Sequence, residues 1–533
     1  MTTSATTPPE LPADVGLLDV PEEVDLVVLR RGHGEDSGHY PPGTFRKIVS
    51  GMVTMLLLIA GTYLVPGLEW ARPWVPGQDP MLFWNLVGRE LLGEGAQAEA
   101  AAEKLEEAER LAVAVIEQDD QAVPLVEEPV IEPPPKGSGL PPYEPHADDA
   151  EPVPRSLELT DPAALDSFYE RLARTDARYA GAITRMSMWG DSVVANDNVS
   201  SALRFAMQRR FGDAGHGFHL VAKPNASYRH RGVRFTDGET WSRCYIINKC
   251  RPDGFYGLGG TTVWSAGGAE SRFRTEAELA FGRKISRFEV WYRAQPKGGN
   301  IRVKVDGGEP QLIATAAEVG TDAWQTFELT DDAHDISLRA AGAGQVRLYG
   351  VVLERDVPGV VVDGMEQLGA FANRMLYFDA EHLRQQVEHR DPALLVFMFG
   401  GNDLLLQASA MDKYEQDFAA VIRRFRGGER PPACLVMAPV DHGQREGQRV
   451  VSRPMVPKIV EVQRKVALRE GCAFFDTVAA MGGEGSAARW RRSDPPLLSG
   501  DLAHLTFAGQ KVIGQMVYLA LMEGYVAYRK RVE

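Results

Sequence analysis

Short apolar runs alternate with helical patterns from about residue 160 to the end of the chain. This alternation is typical of a parallel α/β sheet, in which strands are joined by crossover helices. The predicted strands lie at 183–189, 217–221, 394–399, 434–438 and 472–475. The predicted helices lie at 197–210, 411–426, 454–470 and 507–520. We therefore predict the fold class α/β, with a parallel sheet as its centre.

The alternation breaks between about 225 and 375, where apolar residues recur at every second position. Such a pattern is typical of half-buried antiparallel strands. We predict an all-β sandwich inserted at 270–356, which divides the α/β domain into an N-terminal segment at 156–269 and a C-terminal segment at 357–533. The clearest runs are Phe288, Val290 and Tyr292 in one strand, and Ile301, Val303 and Val305 in the next.

The N-terminal region has a different pattern. The 18 uncharged, mostly apolar residues at 48–65 predict a single transmembrane anchor at 46–67. The polar leader at 1–45 predicts a disordered cytoplasmic tail. Basic residues precede the stretch more often than they follow it, so the positive-inside rule places the N-terminus in the cytoplasm. These basic residues are Arg30, Arg31, Arg46 and Lys47 before the stretch, and Arg72 after it.

Two segments separate this region from the α/β domain. Residues 68–118 include an alanine- and glutamate-rich stretch that favours a helical spacer. Residues 119–155 combine many prolines with acidic residues, which predicts an extended linker. We expect the α/β domain to stand away from the membrane.

Charge and cysteine content narrow the function classes. The 533 residues carry a net charge of −15, without the basic patch that a nucleic-acid partner would require. Cys244 and Cys250 are spaced for a small loop disulfide if the domain is exported, whereas Cys434 and Cys472 open apolar runs that favour buried thiols. The chain has no Cys-x-x-Cys spacing, so we expect no structural zinc site.

A candidate nucleophile follows the first strand. Gly190-Asp191-Ser192 falls between that strand and the helix predicted at 197–210. Open α/β proteins place their sites at this carboxyl edge of the sheet. Two interpretations remain open for Ser192: a nucleophile, or a cap of the next helix.

Two further motifs fall at strand or loop ends. Asn402, in Gly400-Gly401-Asn402-Asp403, has an amide that could donate to an oxyanion, although an ordinary turn is the alternative. Asp501 precedes His504 by three residues, just before the last helix, so it could orient the imidazole or cap that helix. The three motifs together favour catalysis more strongly than any one of them.

These motifs resemble the blocks of the SGNH (GDSL-type) hydrolase superfamily. The matching residues are Gly190-Asp191-Ser192, Gly400-Gly401-Asn402-Asp403 and Asp501-Leu502-Ala503-His504. The resemblance implies a three-layer α/β/α, flavodoxin-like sheet, with Ser192 as nucleophile, His504 as general base and Asp501 orienting the histidine. It also implies an oxyanion hole formed by the Ser192 N–H and Asn402.

The family uses a further glycine N–H from a second block. We select Gly260 within Gly257-Leu258-Gly259-Gly260, because a glycine lets the backbone approach an oxyanion closely. Gly259 is nearly equivalent. A simple glycine-rich turn is the alternative.

The long separation of Ser192 from Asn402 resembles bacterial peptidoglycan O-acetylesterases that carry an inserted carbohydrate-binding-module-like sandwich. Val193 and Asp403 depart from that subgroup, in which His and Glu are common at these positions. The resemblance implies an acetylesterase acting on acetylated polysaccharide or peptidoglycan. The alternatives are a polysaccharide O-acetyltransferase using the same triad, and a non-catalytic tethered glycan-binding protein. Aromatic platforms for such binding would be Trp264, Trp291 and Trp324, although core packing is the commoner role of such residues.

The expected setting follows from these predictions. We expect no cofactor, no metal and no nucleic-acid partner. The expected location is a bacterial inner membrane, crossed once, with the N-terminus in the cytoplasm and the catalytic domain in the periplasm or outside.

Overall fold

The computed structural model describes residues 44–64, 95–120, 129–132, 139–238, 240–276 and 281–533. The chain divides into two compact units, Met1–Leu92 and Gly93–Glu533. The first unit contains helix α1 (Thr44–Leu64). Most of the tail predicted at 1–45, and portions of the predicted spacer and linker, lie outside the described residues.

The prediction of a transmembrane anchor at 46–67 is wrong. The predicted fold class is therefore also wrong in including an N-terminal transmembrane helix. Within the described ranges, no helix has the length and apolar character that crossing a membrane requires. Helix α1 includes Arg46 and Lys47 near its start and ends at Leu64. Its uncharged portion is therefore one residue shorter than the predicted stretch, whereas a spanning helix needs about 20 predominantly apolar residues.

The second unit combines helices with one parallel sheet and several antiparallel sheets. Its helices are α2 (Gly95–Asp120), α3 (Asp166–Asp176), α4 (Asn198–Phe211), α5 (Ala380–Arg390), α6 (Met411–Phe425), α7 (Val456–Arg469), α8 (Thr477–Ala480), α9 (Ser486–Arg492) and α10 (Phe507–Val532). Helix α2 packs on the domain, because Ala108, Leu111 and Ala112 are buried in its core.

The strands fall into one parallel sheet, two larger antiparallel sheets and a hairpin. In chain order they are β1 (Ile183–Gly190), β2 (Gly215–His219), β3 (Val233–Asp237), β4 (Ser242–Tyr245), β5 (Thr261–Ser265), β6 (Glu270–Thr275), β7 (Ile285–Ala294), β8 (Asn300–Val305), β9 (Gln311–Ala314), β10 (Thr321–Asp332), β11 (Asp335–Ala340), β12 (Val346–Glu354), β13 (Gly359–Glu366), β14 (Leu394–Met398), β15 (Ala433–Met437), β16 (Gly443–Glu446), β17 (Arg449–Ser452) and β18 (Ala473–Phe475).

The parallel sheet has the strand order β13-β1-β14-β15-β18. Alternate residues of β14 enter two separate cores, with Leu394 and Val396 on one face and Leu395 and Phe397 on the other. Helices therefore cover both faces of the sheet, as its near-continuous apolar strands require. Strand β1 lies inside this sheet, between β13 and β14.

Two antiparallel sheets pack around a third core, which contains Phe288, Ile301 and Val303. One has the order β10-β7-β12-β5-β4, with β2 paired to β12, and the other has the order β3-β6-β11-β8-β9. Their strands run from Gly215 to Glu354, so they include chain that precedes the range predicted for the insert.

The strand predicted at 217–221 belongs to an antiparallel sheet and not to the parallel one. It corresponds to β2, which pairs antiparallel with β12. The place beside β1 is taken by β13, which the sequence pattern did not predict as a strand of this sheet. Gly217 allows the close approach, since a Cβ there would lie 2.3 Å from an Asp363 carboxylate oxygen.

The tryptophans of the antiparallel region differ in exposure. Trp291 is buried, as core packing requires. Trp324 is half-buried and stacks on His389 of α5, with ring centroids 4.0 Å apart. Trp264 is half-buried beneath the Arg251 guanidinium. In each case a side chain of this protein covers a face of the tryptophan ring.

All four cysteines form disulfides, Cys244 with Cys250 and Cys434 with Cys472. The second pair differs from the buried thiols predicted from the sequence. Cys434 lies on β15 and Cys472 immediately precedes β18, and these strands are neighbours in the sheet. Only the strand order brings the two sulfur atoms together.

Asp363 of β13 is fully buried and joins the parallel sheet to the antiparallel region. Its carboxylate accepts hydrogen bonds from the Ser187 hydroxyl (2.6 Å), the Phe218 N–H (2.8 Å) and the Arg390 guanidinium (2.8 Å). Arg390 also donates to Glu354 of β12, at 2.6 Å. One buried network therefore connects β1, β2, β12, β13 and α5.

Replacing Asp363 with Ala should destabilise the protein by about 3–5 kcal/mol, because it leaves a buried guanidinium without one of its carboxylates. Urea unfolding of the full chain measures this loss. Glu388→Ala is the matched control, since Glu388 pairs with Arg384 at an exposed position on α5 and such pairs contribute roughly 0–1 kcal/mol. Equal midpoints for the two variants would contradict the role of Asp363.

Candidate active site

Ser192 lies on the turn that follows β1, at the carboxyl edge of the parallel sheet. The turn depends on Gly190, because a Cβ there would lie 2.3 Å from a Val194 methyl and 2.6 Å from the Met398 carbonyl oxygen. Helix α4 begins at Asn198, and its N-cap is Asp197. Ser192 is therefore not the cap of this helix, which removes the alternative interpretation of its position.

Asp191, beside the serine, is buried and fixes the turn to the neighbouring loop. Its carboxylate accepts hydrogen bonds from the Val193 N–H (3.2 Å) and the Gly401 N–H (2.9 Å). Burial raises the pKa of Asp191 to about 6, although these N–H donors oppose the shift. The contact holds the Ser192 turn against the loop that carries Asn402.

Ser192, His504 and Asp501 form one hydrogen-bonded chain. His504 Nε2 lies 3.1 Å from Ser192 Oγ, and His504 Nδ1 lies 2.5 Å from Asp501 Oδ2. With the proton on Nδ1, the imidazole donates to Asp501 and accepts from the serine hydroxyl. Helix α10 is capped instead by Thr506, whose hydroxyl accepts from the Gly509 N–H. Asp501 and His504 are thus not the cap of that helix.

Local hydrogen bonds hold Asp501 in its ionised form. Partial burial raises its pKa, but donors from the His504 side chain and backbone, Ser499 and Ala503 lower it well below the usual range of a carboxyl group. Leu502, between the two residues, has a φ of 62°, which is uncommon for a side chain of this kind. This tight turn keeps Asp501 against the imidazole.

The site is open to solvent. The side chains of His504 and Asp501 are 54% and 52% exposed. A cavity of about 740 Å³ lies elsewhere, along Gly212 and Pro358 near the amino ends of the parallel strands. An exposed site accommodates a segment of a large substrate more readily than it encloses a small molecule.

The structure brings Asn402 to this edge but gives Gly260 another role. Asn402 follows β14, and its amide donates to the Ala370 carbonyl at 3.2 Å, which leaves a second amide hydrogen for another acceptor. The Gly260 N–H donates to the Gly257 carbonyl at 3.3 Å. A Cβ on Gly260 would lie 2.7 Å from the Gln367 amide oxygen, in a buried position. This geometry lends no support to Gly260 as an oxyanion donor.

Gly369 is a candidate backbone donor to the oxyanion that the sequence did not predict. It follows β13, the strand beside β1, and it precedes Ala370, whose carbonyl binds the Asn402 amide. Among the described residues, no hydrogen bond engages the Gly369 N–H, and a Cβ at this position would meet open space. What points to Gly369 is its position at the end of the strand next to that of Ser192. The sequence did not show this position, because β13 was not predicted as a strand of the parallel sheet.

A hairpin absent from the sequence prediction supports the histidine loop. It consists of β16 and β17, and the Gly443 N–H at its base donates to the Leu502 carbonyl at 2.7 Å. The preceding His442 is buried, which lowers its pKa, and its ring lies near Gly401. The hairpin therefore borders the Asp501–His504 turn on one side.

The side chains around the triad do not form a metal centre. Throughout the portion of the chain that the structure describes, no group of three or more His, Cys, Asp or Glu side chains is placed to hold a metal ion. The prediction that the protein uses no metal or cofactor stays a prediction.

The sequence matches a known family over a third of its length. Residues 334–512 match the GDSL-like lipase/acylhydrolase family. This range contains Asn402, Asp501 and His504, while Ser192 precedes it. No curated protein matches the chain.

Solved structures provide a comparison of the fold. A peptidoglycan O-acetylesterase superposes with a TM-score of 0.58 at 19% identity, over 69% of this chain and 99% of that one. A family two carbohydrate esterase from Clostridium thermocellum, in complex with cellohexaose, has a TM-score of 0.24 at 11% identity, over 54% of this chain and 99% of its own. The second likeness is too low to carry an argument, whereas the first shows a shared fold.

Fold and family match together define an α/β protein with a GDSL-like acylhydrolase domain. Residues 334–512 are thus similar to GDSL-like lipase/acylhydrolases, and the chain shares its fold with a peptidoglycan O-acetylesterase.

The oxyanion assignment of Asn402 is testable by Asn402→Ala. Removal of one such donor should lower kcat by about 10²- to 10³-fold, because the developing negative charge loses a preoriented hydrogen bond. Steady-state hydrolysis of p-nitrophenyl acetate measures the change. Gln407→Ala, in an exposed position on the same loop, is the control. A variant within twofold of the wild type would exclude Asn402 from the oxyanion hole.

Asp501→Asn tests the orienting carboxylate separately. The amide cannot stabilise an imidazolium and favours the wrong tautomer, so kcat should fall by about 10⁴-fold with the fold retained. The same assay, together with circular dichroism, checks both points. Undiminished turnover in a folded variant would contradict the proposed role of Asp501.

Proposed function

We propose that this protein is a serine esterase that removes O-acetyl groups from a polysaccharide outside the cytoplasm. The observation that carries the proposal is the hydrogen-bonded chain from Ser192 through His504 to Asp501. It is the arrangement that a serine hydroxyl needs in order to act as a nucleophile near neutral pH. The GDSL-like acylhydrolase match supports the same class of reaction.

The first half of the reaction acylates the enzyme. Ser192 Oγ attacks the ester carbonyl carbon while its proton passes to His504 Nε2. The resulting oxyanion receives hydrogen bonds from the Ser192 N–H, the Asn402 amide and a glycine N–H, which we assign to Gly369. The tetrahedral intermediate then expels the sugar oxygen, which takes the proton from His504.

The second half regenerates the serine. A water molecule attacks the acyl carbon, and His504 accepts its proton. Collapse of the second tetrahedral intermediate breaks the bond to Ser192 Oγ, which recovers the proton from His504, and acetate leaves. Asp501 stays ionised throughout and stabilises the imidazolium in both halves.

A polymeric substrate agrees with the exposure of the site. The reacting side chains lie at the surface, so an acetyl group on a long glycan could reach Ser192 without the chain entering a deep cavity. The neighbour with the shared fold is a peptidoglycan O-acetylesterase. Acetylated peptidoglycan is accordingly the first polymer to test.

Two disulfides support a location outside the cytoplasm. Cys244–Cys250 and Cys434–Cys472 would persist in an oxidising compartment such as the periplasm, whereas cytosolic thiols are kept reduced.

The decisive experiment is Ser192→Ala in the full chain. Loss of the nucleophile should lower the hydrolysis of p-nitrophenyl acetate, and acetate release from O-acetylated peptidoglycan, by about 10⁴-fold or more. Ser337→Ala, on β11 of an antiparallel sheet, is the matched serine control. Activity that survives in Ser192→Ala, or an inactive wild type, would refute the proposal.

A further inference from the structure

Two loops carry the Asn402 amide and the Gly369 N–H, the groups that we assign to the oxyanion hole beside the Ser192 N–H. The asparagine loop, residues 400–406, follows β14 and carries Asn402. The glycine turn, residues 367–372, follows β13 and carries Gly369. Strands β13 and β14 flank β1, whose end leads to Ser192. The geometry of the oxyanion hole therefore depends on how these two loops are held relative to each other.

Asp403 joins the asparagine loop to the glycine turn. Its two carboxylate oxygens accept the Ala372 N–H, at 3.3 and 3.2 Å. The two residues are 31 positions apart in the chain, so this contact is neither a local turn nor a helix cap. A second contact runs from the Asn402 amide to the Ala370 carbonyl, at 3.2 Å. Adjacent residues of the asparagine loop thus bind the same short stretch of the glycine turn.

Each loop is also attached to the segment that carries the nucleophile. The Gln367 N–H donates to the Gly190 carbonyl at 2.8 Å, at the end of β1. The Gly401 N–H donates to Asp191 Oδ2 at 2.9 Å, on the turn that follows β1. The contacts between the two loops therefore complete a closed set of hydrogen bonds that includes the turn of the nucleophile.

Asp403 is too deeply buried to contact a substrate. Its side chain belongs to a residue that is 1% exposed, whereas Gly369 is exposed and Asn402 is half-buried. Any effect of Asp403 on the reaction must therefore pass through the groups that it holds in place.

The contact with Ala372 needs an acceptor oxygen but not a full negative charge. Burial raises the pKa of Asp403 to about 7, the Ala372 N–H opposes this shift, and the charge of Asp191 adds to it. A side-chain amide offers the same kind of acceptor oxygen as a carboxyl group. Asp403→Asn is therefore a conservative replacement, which retains the acceptor and removes the titration.

We propose that Asp403 is a positioning residue that sets the separation between the Asn402 amide and the Gly369 N–H, so that both donate to one oxyanion. The inference rests on the proposed esterase function and deepens it. When the carboxyl is removed, the contact that remains of these two is made by the Asn402 amide, which the oxyanion also requires. The oxyanion forms only during the reaction, so poor alignment should lower kcat and leave KM nearly unchanged.

Asp403→Ala in the full chain tests this role with p-nitrophenyl acetate. We expect kcat to fall by about 10- to 100-fold, as for donors misplaced by about 1 Å, with KM changed by less than about twofold. Asp403→Asn should recover most of the lost kcat, because its amide oxygen still accepts the Ala372 N–H. Asp213→Ala is the matched control and should keep the wild-type kcat. The Asp213 carboxylate also accepts backbone N–H groups, from Gly215 and Gly282, but near the amino end of β13.

A second variant removes the donor of the contact and leaves Asp403 unchanged. Ala372→Pro has no backbone N–H, and position 372 is the first residue of a short 3₁₀ helix, where proline is tolerated. The preceding Phe371 already has the extended backbone that a following proline favours, with φ −74° and ψ 148°. Ala372→Pro should lower kcat as Asp403→Ala does. It decides the question if Asp403→Ala fails to fold, which circular dichroism would show.

Combining Asp403→Ala with Asn402→Ala separates positioning from a general loss of stability. If Asp403 acts through Asn402, one of the aligned donors is already missing in the double variant. Its loss of kcat should then fall short of the product of the two single losses by about threefold or more. A general loosening of the fold would instead multiply the two losses.

Several outcomes would overturn the inference. These are a folded Asp403→Ala or Ala372→Pro variant with the wild-type kcat, single losses that multiply, and an Asp403→Asn variant no more active than Asp403→Ala. An equal loss in Asp213→Ala would also overturn it, because the effect would then not be specific to the two loops. A wild type that does not hydrolyse p-nitrophenyl acetate is a separate result, which refutes the esterase function and the positioning role with it.

Discussion

The fully buried carboxylate of Asp363 is the contact on which the rest of the catalytic unit depends. It accepts hydrogen bonds from β1, from the backbone of β2 and from Arg390 on α5, and Arg390 continues the network to Glu354 on β12. Burial alone would raise the pKa of Glu354, but the charges of Arg185 and Arg390 lower it well below its usual range. A buried charge is tolerated only when it is paired and hydrogen-bonded. The parallel sheet and the antiparallel region are therefore joined by polar contacts that neither region satisfies alone.

This junction has a consequence for the site. Strand β1 ends at Gly190 and is tied through Ser187 to Asp363, so the turn bearing Ser192 begins from a fixed strand. Asp191 then attaches that turn to the loop of Asn402, while Asp197 attaches its far end to Arg231. Short polar contacts thus fix the turn of Ser192 and the loop of Asn402 relative to one another. Exposed side chains can keep such positions because their supporting groups are buried.

His504 is positioned by contacts of its own surface loop and not by the buried network. Its loop is shaped by the left-handed backbone of Leu502, by the Ser499 hydroxyl and by the hairpin that donates from Gly443. None of these groups reacts, yet together they hold the imidazole between Asp501 and Ser192. Ser192 therefore follows the end of a buried strand, whereas Asp501 and His504 lie on a surface turn that local hydrogen bonds hold in place.

The sequence by itself determined the α/β character and indicated the candidate residues Ser192, Asp501 and His504 that the structure brings together, because apolar periodicity and short motifs depend on neighbours along the chain. The sequence pattern gave wrong predictions for elements whose structure depends on residues far away along the chain. The apolar stretch at 48–65 predicted a membrane anchor that helix α1 does not provide, and the strand at 217–221 joined an antiparallel sheet through Gly217 and Asp363. The Cys434–Cys472 bond required the neighbouring strand order of β15 and β18. Only the tertiary structure placed Gly369 one strand away from Ser192, because residues far apart in sequence meet there and no local pattern records their meeting.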